Sequence, residues 1–514
     1  MRFCTDVAVR SPRIWLVVLL ACAGLGVLAP SSQAAEALSV ESLFAGNCKE
    51  GFKACNKAPP GATPAEEIAK AEKEGYTQAA GHPPFGVTEF KVASVGEPGQ
   101  EVPLALLTHV RTDVGPGVST NPEAVEKCSL AEFGEEEPFL PGKGLYLEPT
   151  CTENNGEKEG TEIGENKVLV ALELAPKVFV DEEVKGTVYN LVQPNGLASD
   201  FGVALKLPKY LTEAELKKAF VEGGHPLKAF PGLEEKLEKE QYYAHTFIEG
   251  HVEWAKEPAG TDQGNYHNYY EINVSPTLPV ISSRLTLFGN IGTTKQGGFI
   301  TNPSHCAGAG AATLNKVTLT SLEGHVASRE YIAPVGTKGC TLESPFLPVP
   351  FEPTFSLTTE TTQSDQPTGM TTTLTVPHAT GAEEKDIDSS QLDNAIVTLP
   401  EGMTLNPSAA HGLEACRRSQ IGLGTRNKAT CPYGSKIGTV TINVPDLPPE
   451  SLKGNIYLGE SESGGSESGQ ITSQPYTIYL NAESERYGVT VRVKGTVEGN
   501  ETTGRVVAKF EKTP

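Results

Sequence analysis

The stretch "YGVTVRVKGTV" at residues 487–497 decides the fold class, because apolar and polar side chains alternate along it. Val489, Val491 and Val493 fall on one side of an extended chain, and the polar residues between them, Arg492 included, fall on the other. This period of two is typical of a half-buried strand in an antiparallel sheet.

Further strands follow from the same kind of pattern elsewhere in the chain. Apolar or β-branched runs separated by turn-forming Gly, Asn, Pro and Ser occur at 167–174, 284–289, 316–322 and 395–403. Met and Trp are scarce, and Gly, Pro, Thr and Val are plentiful. The sequence therefore predicts a mainly β protein of tandem antiparallel β-sandwich (Ig-like) modules with local disulfides.

One phrase of Asn-Pro followed by Cys occurs three times, as "TNPEAVEKC" at 120–128, "TNPSHC" at 301–306 and "LNPSAAHGLEAC" at 405–416. Asn accepts a backbone hydrogen bond as a helix N-cap, and Pro fits the first helical position, where an N–H has no partner in any case. Each phrase therefore predicts a turn of helix that follows a strand and orients the cysteine.

The cysteines fall into close sequential pairs. Two of the ten, Cys4 and Cys22, lie in the first 34 residues. The spacing predicts that the other eight form four local disulfides in an oxidising compartment: Cys48–Cys55, Cys128–Cys151, Cys306–Cys340 and Cys416–Cys431. A shared zinc site is the alternative, but the chain has no CxxC pair and the cysteine pairs lie far apart.

The N-terminus predicts export. Three arginines precede the apolar run "IWLVVLLACAGLGVLA" at 14–29, and the small-residue stretch "SSQA" follows, so residues 1–34 are interpreted as a signal peptide. An uncleaved anchor is disfavoured because the run is shorter than the ~20 residues that span a bilayer. A lipoprotein cleavage site at Cys22 is a second alternative. The expected location is extracellular or at the cell surface.

Charge restricts the partners. The net charge of −22 becomes −24 when a leader with three arginines and one aspartate is removed. Such an acidic surface argues against nucleic acid and anionic membranes. No integral membrane segment is expected in the mature chain, and the expected partner is extracellular or in the cell wall. The ending "VVAKFEKTP" reads as a strand with nothing after it, which suggests a truncated fragment.

Changes in composition suggest a modular layout. A short helix is expected in "TPAEEIAKAEKEG" at 63–75, a helical insertion at 212–241, a stiff linker in the Pro-rich stretch 344–353, and a flexible hairpin tip at 459–470. The predicted segments are 1–34 (signal peptide), 35–78 (helical/disulfide segment), 79–185 and 186–355 (β-sandwich modules, the second with the insertion), 356–453 (β-sandwich module) and 454–514 (incomplete β module).

Several phrases resemble large, uncharacterised secreted repeat proteins of high-GC Gram-positive bacteria. The phrases are "GHPPFGVTEF", "VYNLVQPNGLASDFGV", "TLPEGMTLNPSAAHGLEAC" and "CPYGSKIGTV". Matching positions are His82, Pro83, Phe90, Asn190, Leu191, Pro194, Gly196, Phe201, Gly202, Leu399, Pro400, Gly402, Asn406, Pro407, Cys416, Cys431, Pro432, Ser435, Ile437 and Gly438. The first copy departs from the pattern, with "GPGVSTNP" and "PTCTE". The resemblance implies an extracellular β-sandwich repeat architecture and brings no catalytic residue.

No catalytic motif is present. Phosphate-binding loops, nucleophile elbows, HExxH helices and EF-hand loops are all missing from the sequence. We therefore expect no enzymatic activity and no cofactor.

The segment 242–272 is the densest group of potential ligand-binding side chains. On a strand, His245, Glu249, His251 and Glu253 share one face, and ligands two residues apart can meet one metal. Aromatic rings beside carboxylates also suit sugar binding. The alternative is an ordinary solvated face, since Ile248, Val252 and Trp254 on the opposite side form a core-facing row. The candidate ligand-binding residues are His245, Glu249, His251, Glu253, Trp254, Tyr266 and His267.

The acidic stretch "EEKDIDSSQLD" at 383–393 offers the oxygen ligands Asp386, Asp388 and Asp393 to calcium. It lacks the Gly and terminal Glu of an EF-hand, and a charge run is usually a hydrated surface. Both interpretations remain open from the sequence.

Together these features predict a secreted or cell-surface structural or adhesive β-repeat protein without catalytic activity. The alternative is a secreted glycan-binding or glycan-active protein that uses the cluster at 242–272.

Overall fold

The computed structural model describes a chain dominated by antiparallel strands. The described residues are 38–49, 66, 69, 73–134, 145–152, 160–175, 178–209, 241–256, 264–275, 278–292, 297–304, 313–333, 335–339, 345–383, 385–403, 414–460, 476–499 and 505–510. Within those ranges no helix has the length and apolar character needed to cross a membrane. Residues Leu38–Pro514 belong to one compact unit.

Strands are numbered in chain order. They are β1 (Val40–Cys48), β2 (Phe85–Val92), β3 (Ser94–Val95), β4 (Val102–Pro103), β5 (Leu107–Asp113), β6 (Ser119–Thr120), β7 (Glu162–Ala175), β8 (Val178–Asn190), β9 (Ser199–Lys206), β10 (Tyr243–Lys256), β11 (Gly264–Asn273), β12 (Val280–Phe288), β13 (Ile300–Thr301), β14 (Thr313–Ser321), β15 (Val326–Ala333), β16 (Thr354–Thr359), β17 (Met370–Thr375), β18 (Ala395–Thr398), β19 (Lys436–Ile442), β20 (Leu452–Gly459), β21 (Tyr476–Ser484), β22 (Val489–Gly499) and β23 (Val506–Phe510). Two helices with fully described bounds are α1 (Leu130–Phe133) and α2 (Arg418–Ile421), and 3₁₀ turns occur at Pro122–Ala124 and Tyr433–Ser435.

Eleven of the described strands form what we call the large sheet, in the order β1-β2-β12-β7-β8-β9-β10-β11-β5-β14-β15. Its two edge strands approach each other, so the sheet forms a near-barrel. Phe44 on β1 and Tyr331 on β15 have ring centroids 5.2 Å apart, and Arg329 Nη1 donates to the carbonyl of Glu41 at 2.7 Å. The accumulated twist of so many strands closes the sheet around a shared apolar interior.

The interior of the large sheet holds the main core, because every strand directs alternate side chains inward. Phe44, Phe90, Phe201, Ile248 and Phe299 are all almost fully buried there. Two short strands, β6 and β13, pair beside this core. They carry the first residues of the "TNPEAVEKC" and "TNPSHC" phrases, so the two copies begin side by side.

Six strands form the small sheet, in the order β18-β23-β22-β21-β20-β19. The predicted hairpin tip at 459–470 comes between the antiparallel neighbours β20 and β21 in the sequence, and its residues 461–470 lie outside the described residues. The alternation that predicted β22 is present, but Arg492 is buried, with only 5% of its surface exposed. Its guanidinium group donates to Asn481 Oδ1 and to the carbonyls of Gly422 and Asn427, which explains why a charged side chain lies inside.

The Asn-Pro prediction is confirmed in the first copy. Asn121 caps the 3₁₀ turn Pro122–Ala124, and its side chain accepts from the Glu123 N–H at 3.0 Å. In the second copy, Asn302 instead donates to the carbonyls of Tyr76 and Gln78. Residues 404–413, with the third Asn-Pro, lie outside the described residues.

Two of the four predicted disulfides are confirmed, Cys128–Cys151 and Cys416–Cys431. The first packs with Phe133, Tyr189 and Leu191 in a second small core. Cys48 is also disulfide-bonded. Cys55, Cys306 and Cys340 lie outside the described residues, so their predicted pairings stay predictions.

Residues 376–394 cross one end of the large sheet and lead to the small one. Asp388 lies in this segment, and its N–H donates to the carbonyl of Ala80 at 2.8 Å. Its side chain is paired with His378 at 2.7 Å and accepts from the Ala379 N–H. The other calcium candidates bond elsewhere, Asp386 to the Glu383 N–H and Asp393 to Asn394. The oxygens of the three aspartates do not come together as one set of ligands within 4.8 Å.

The mainly β prediction is confirmed, whereas tandem Ig-like sandwiches are not. The predicted boundaries at 185/186 and 453/454 fall inside β8 and β20. Strands from either side of residue 185 pair with one another, as β12 does with β2 and β7. Val40–Cys48, in the segment expected to be helical, forms the edge strand β1, while Glu66, Ala69, Lys73 and Glu74 are helical as expected. The helical insertion at 212–241 lies almost entirely outside the described residues.

Candidate functional site

The strand pairing of the large sheet brings distant polar residues together on its outer face. Across β10 and β11, His251 is opposite Tyr269 and Glu253 is opposite His267. Across β11 and β5, Tyr269 is opposite Asp113 and Glu271 is opposite Arg111. Residues directly opposite on one face have neighbouring side chains. We call the following group the junction cluster: Arg111, Asp113, His251, Glu253, His267, Tyr269, Glu271 and Arg426.

Arg111 is the centre of the junction cluster. Its Nη2 donates to Asp113 Oδ1 at 2.5 Å and to Glu253 Oε2 at 2.7 Å, and its guanidinium carbon lies 3.8 Å from the centroid of the Tyr269 ring. Burial alone would lower the pKa of Arg111, but the hydrogen bonds to the two carboxylates raise it above its ordinary value. One cation therefore compensates two carboxylates, in the geometry that favours arginine over lysine.

The histidines of the cluster lie at its sides. His267 Nε2 is 3.3 Å from Asp113 Oδ1. Burial would raise the pKa of Asp113, but its hydrogen bonds with His267 and Arg111 hold that pKa below its ordinary value. His251 stacks on Tyr269 with ring centroids 4.9 Å apart, and burial lowers its pKa. Both rings are therefore engaged by neighbouring residues of the same sheet.

Arg426 reaches the cluster from the loop that follows α2, on the small-sheet side of the molecule. Its guanidinium carbon lies 5.3 Å from the centroid of the Tyr269 ring, and its Nη2 donates to the carbonyl of Val252 at 2.9 Å. The loop itself is held by Arg492, which donates to the carbonyl of Thr425. The cluster is thus completed by a residue that is remote from β10 in the sequence.

On the opposite face of β10 and β11, the small sheet is in direct contact. Trp254 and Tyr266 pack edge to face with centroids 5.0 Å apart, and Tyr266 Oη accepts from the Arg492 N–H at 3.2 Å. Burial raises the pKa of Tyr266 to about 12. Val252 joins the apolar cluster of Leu447, Leu452, Ala482 and Val489. Trp254 and Tyr266 are therefore interface residues and not an exposed platform for a sugar ring.

Two glycine turns complete the contact between the sheets. The Gly196 N–H donates to the carbonyl of Arg486 at 2.8 Å, and Arg486 Nη2 donates to the carbonyl of Gln193 at 2.7 Å. A Cβ on Gly488, which has a φ of +64°, would lie 2.2 Å from the carbonyl oxygen of Gly196. Only glycine fits at position 488, because a side chain would collide with the Gly196 backbone and because a positive φ is unfavourable for other residues.

His245 lies apart from the junction cluster. It is six residues from His251 along β10, which at about 3.3 Å per residue separates the two by about 20 Å. Its ring is stacked between Phe133 and Tyr146, with centroid distances of 4.1 Å to each. Both ring nitrogens are buried without a hydrogen-bond partner, and burial lowers the pKa of His245 to about 4. This environment suits a neutral packing residue.

Glu249 lies between two other carboxylates. It is opposite Asp200 on β9 and Glu271 on β11. Asp200 is only 4% exposed. Burial, with a further contribution from Glu249, raises the pKa of Asp200 to about 7. Like charges opposite each other destabilise a sheet, so the raised pKa relieves a repulsion.

A metal was one interpretation of this segment. Ligand atoms of Asp113, Glu253 and His267 lie within 4.8 Å of one another, which is close enough for one cation. Arg111 already bonds both carboxylates, so a cation would have to displace a guanidinium group from the two carboxylates it neutralises. The observed arrangement is complete as a salt-bridged contact.

Five members of the junction cluster were not predicted as site residues from the sequence: Arg111, Asp113, Tyr269, Glu271 and Arg426. Arg111 and Asp113 lie about 130 residues before the start of β10, and nothing local links the two segments. The alternation of apolar and polar residues in "HVRTD" at 109–113 was the one available signal, since it places Arg111 and Asp113 on one face of a strand.

Comparison with known proteins gives no relative to support an assignment: the chain matches no protein-family model, no curated protein and no solved structure.

Proposed function

We propose that the chain is an exported, non-catalytic structural or adhesive protein of the cell surface, in which two β sheets are fixed against each other. The apolar leader and the acidic mature chain favour export, and disulfides such as Cys128–Cys151 suit an oxidising compartment. The repeated Asn-Pro phrase and the resemblance to secreted repeat proteins support the same class. The function is then mechanical: to present a rigid acidic surface outside the cell.

The observation that carries the proposal is that the side chains of the strongest candidate site are engaged by other parts of the protein. Asp113 and Glu253 are neutralised by Arg111, Tyr269 is covered by two guanidinium groups, and Tyr266 is bonded to the small sheet. Groups committed to internal contacts resist separation of the two sheets. They are poorly placed to recognise a substrate in solution.

Glycan binding is the competing proposal, supported by the carboxylates at the rim of the cluster. The side chains of Glu253 and Glu271 are 36% and 32% exposed. Trp254→Ala does not separate the two proposals, because Trp254 packs at the sheet interface and its loss would disturb the fold and any binding together. A substitution at the exposed rim is needed.

Glu253→Gln is the decisive variant, with Glu183→Gln as its matched control. Each removes one carboxylate from the large sheet, and the Glu183 side chain is 52% exposed in a loose pair with Lys185. Under the structural proposal, Glu253→Gln lowers the free energy of unfolding by about 1 kcal/mol, since Arg111 loses a charged partner at a half-exposed site. Glu183→Gln leaves it unchanged.

Both variants are then tested for retention on insoluble peptidoglycan, chitin and cellulose. The structural proposal expects any retention to be the same for both variants. Loss of retention by Glu253→Gln alone, with its unfolding free energy unchanged, would establish the glycan proposal and refute the structural role of the cluster.

The contact between the sheets has its own test, Arg426→Ala compared with Arg417→Ala. The Arg417 side chain is 68% exposed and pairs with Glu460 at the surface. We expect faster amide hydrogen exchange at the end of β10 and stronger acrylamide quenching of Trp254 in Arg426→Ala alone. Identical exchange and quenching in the two variants would contradict a role for Arg426 in fixing the sheets.

A further inference from the structure

The strands of the large sheet line a cavity of about 120 Å³. Its wall is contributed by strands around the whole sheet, from β1 and β2 through β12 and β9 to β11 and β5. Val87, Phe90, Phe201, Ile248 and Leu285 supply much of the apolar surface. The core of the large sheet is therefore not filled by its own side chains, although protein interiors are normally close-packed.

The wall carries no charge. None of the described residues that line the cavity is Asp, Glu, Lys, Arg or His, although 21% of the chain is charged. A charged ligand placed there would lose its hydration without gaining a counter-ion, which is prohibitively costly. The cavity therefore selects a neutral molecule.

Each of the three amides in the wall makes at least one hydrogen bond. Asn47 Nδ2 donates to Asn302 Oδ1 at 2.5 Å, Asn166 Oδ1 accepts from Ser283 Oγ at 3.2 Å, and Asn315 Oδ1 accepts from the Gly115 N–H at 3.0 Å. An ordered water needs two to four polar partners. Because each of these amides already has a partner and most of the wall is apolar, the wall favours an apolar occupant over water.

One polar feature of the wall would fix the orientation of a bound molecule. The hydroxyl groups of Thr120 and Tyr270 lie 2.6 Å apart and share one hydrogen bond. Two hydroxyls carry two hydrogens, and the bond between them uses one, so the pair retains a hydrogen for an acceptor. Tyr270 is opposite Gly250 on β10, where a larger residue would meet the tyrosine ring at 3.0 Å.

We propose that this cavity is a binding site for a neutral one-ring organic molecule that carries a single oxygen acceptor, such as a phenol. The cavity volume limits the ligand to about one ring, because an apolar cavity of about 150 Å³ is known to hold benzene. The ring would pack against the aliphatic wall, and the oxygen would accept the free hydrogen of the Thr120–Tyr270 pair. The junction cluster takes no part, since Tyr270 and Tyr269 lie on opposite faces of β11.

The test uses the chain from residue 35 to 514 and isothermal titration with benzene, phenol, benzoate and 2-naphthol. We expect one saturable site for benzene and phenol, with phenol binding about three to ten times more tightly because of one neutral hydrogen bond. Benzoate and 2-naphthol should not bind, the first because of its charge and the second because of its size. Absence of saturable phenol binding, or equal binding of benzoate, would overturn the proposal.

Three variants locate the site. Tyr270→Phe should abolish the preference for phenol over benzene and retain benzene binding, whereas Tyr269→Phe, its neighbour on the outer face, should retain the preference. Ala45→Leu should fill the cavity and abolish binding of both compounds. If Ala45→Leu fails to fold, the comparison of Tyr270→Phe with Tyr269→Phe still tests the proposal. A phenol preference that survives in Tyr270→Phe would refute the assignment of the hydroxyl pair.

Discussion

Replacement of His245 by Phe should remove a pH-dependent loss of stability. The imidazole lies between Phe133 and Tyr146, and neither ring nitrogen has a hydrogen-bond partner. Burial lowers the pKa of His245 to about 4, against 6.5 for the unperturbed side chain. The unfolded chain therefore takes up this proton more readily than the folded chain as the pH falls, so acid favours unfolding.

The size of the effect follows from these two pKa values. Above pH 7 the ring is neutral in both states and contributes nothing to the pH dependence. Between the two pKa values the unfolded state is stabilised by its proton, by about 2 kcal/mol at pH 5 and about 3 kcal/mol at pH 4. A phenyl ring keeps the stacking and cannot titrate, so His245→Phe should gain these amounts over the unsubstituted chain.

Urea unfolding at pH 7.5, 6, 5 and 4.5 measures this difference. The chain from residue 35 onward has Trp254 as its one tryptophan, so its fluorescence reports a defined place between the sheets. Other titrating groups cancel when His245→Phe and the unsubstituted chain are compared at each pH. Phe247→Leu is the control, because it weakens packing against the same Phe133 ring without removing a titrating group.

A constant difference between His245→Phe and the unsubstituted chain from pH 7.5 to 4.5 would refute the reasoning. A second result would also refute it. If EDTA lowered the stability of the unsubstituted chain but not that of His245→Phe, the imidazole would be shown to bind a metal. A difference that grows as the pH falls, with a constant cost for Phe247→Leu, is the expected result.

Three further predictions concern other parts of the fold. Asp200→Asn should be more stabilising at pH 8 than at pH 4, by at most about 4 kcal/mol, because the pKa of Asp200 is about 7 in the folded chain against the ordinary 3.8, so that the carboxyl group costs stability as the pH rises from about 4 to about 7. Equal effects in urea titrations at both pH values would contradict the burial of an ionisable carboxyl group there. Asn121→Ala should lower the free energy of unfolding by about 1 kcal/mol through loss of the cap on the 3₁₀ turn, and Asn121→Ser should recover most of it. Replacing Cys128 and Cys151 together by Ser should cost about 3 kcal/mol, because the bridge closes a loop with a sequence separation of 23, and the difference should vanish when both proteins are unfolded in reducing agent.

Features governed by neighbours in the sequence were predictable. The alternation of valines predicted β22. The run at 167–174 lies within β7, and the runs at 284–289 and 316–322 lie in β12 and β14 except for their last residue. The N-cap of Asn121 spans two residues, and the two described bridges span 23 and 15. Such interactions depend on φ, ψ and short loops, so the residue types alone specify them.

The number of sheets was not predictable in this way. Tandem sandwiches require each strand to pair within its own module, yet β5 pairs with β11 and β14, more than 150 residues later. An alternating strand indicates which face is buried but not which strand lies beside it. The strand Val40–Cys48 was not predicted for a related reason. It is stabilised by its pairing with β2 and its contact with β15, and the local sequence shows neither.

By itself, the sequence determined the mainly β class, the local disulfides, the Asn-Pro cap and the face on which His251 and Glu253 lie. Only the tertiary structure decided that Arg111 and Asp113 meet them, that Arg426 covers Tyr269, that Arg492 is buried, and that the strands of the large sheet line a cavity. The physical reason is the distance along the chain between the interacting residues. Local patterns set backbone geometry and burial. Charge compensation and packing depend on contacts between strands that are far apart in the sequence, and the sequence of either strand does not indicate which strand it will contact.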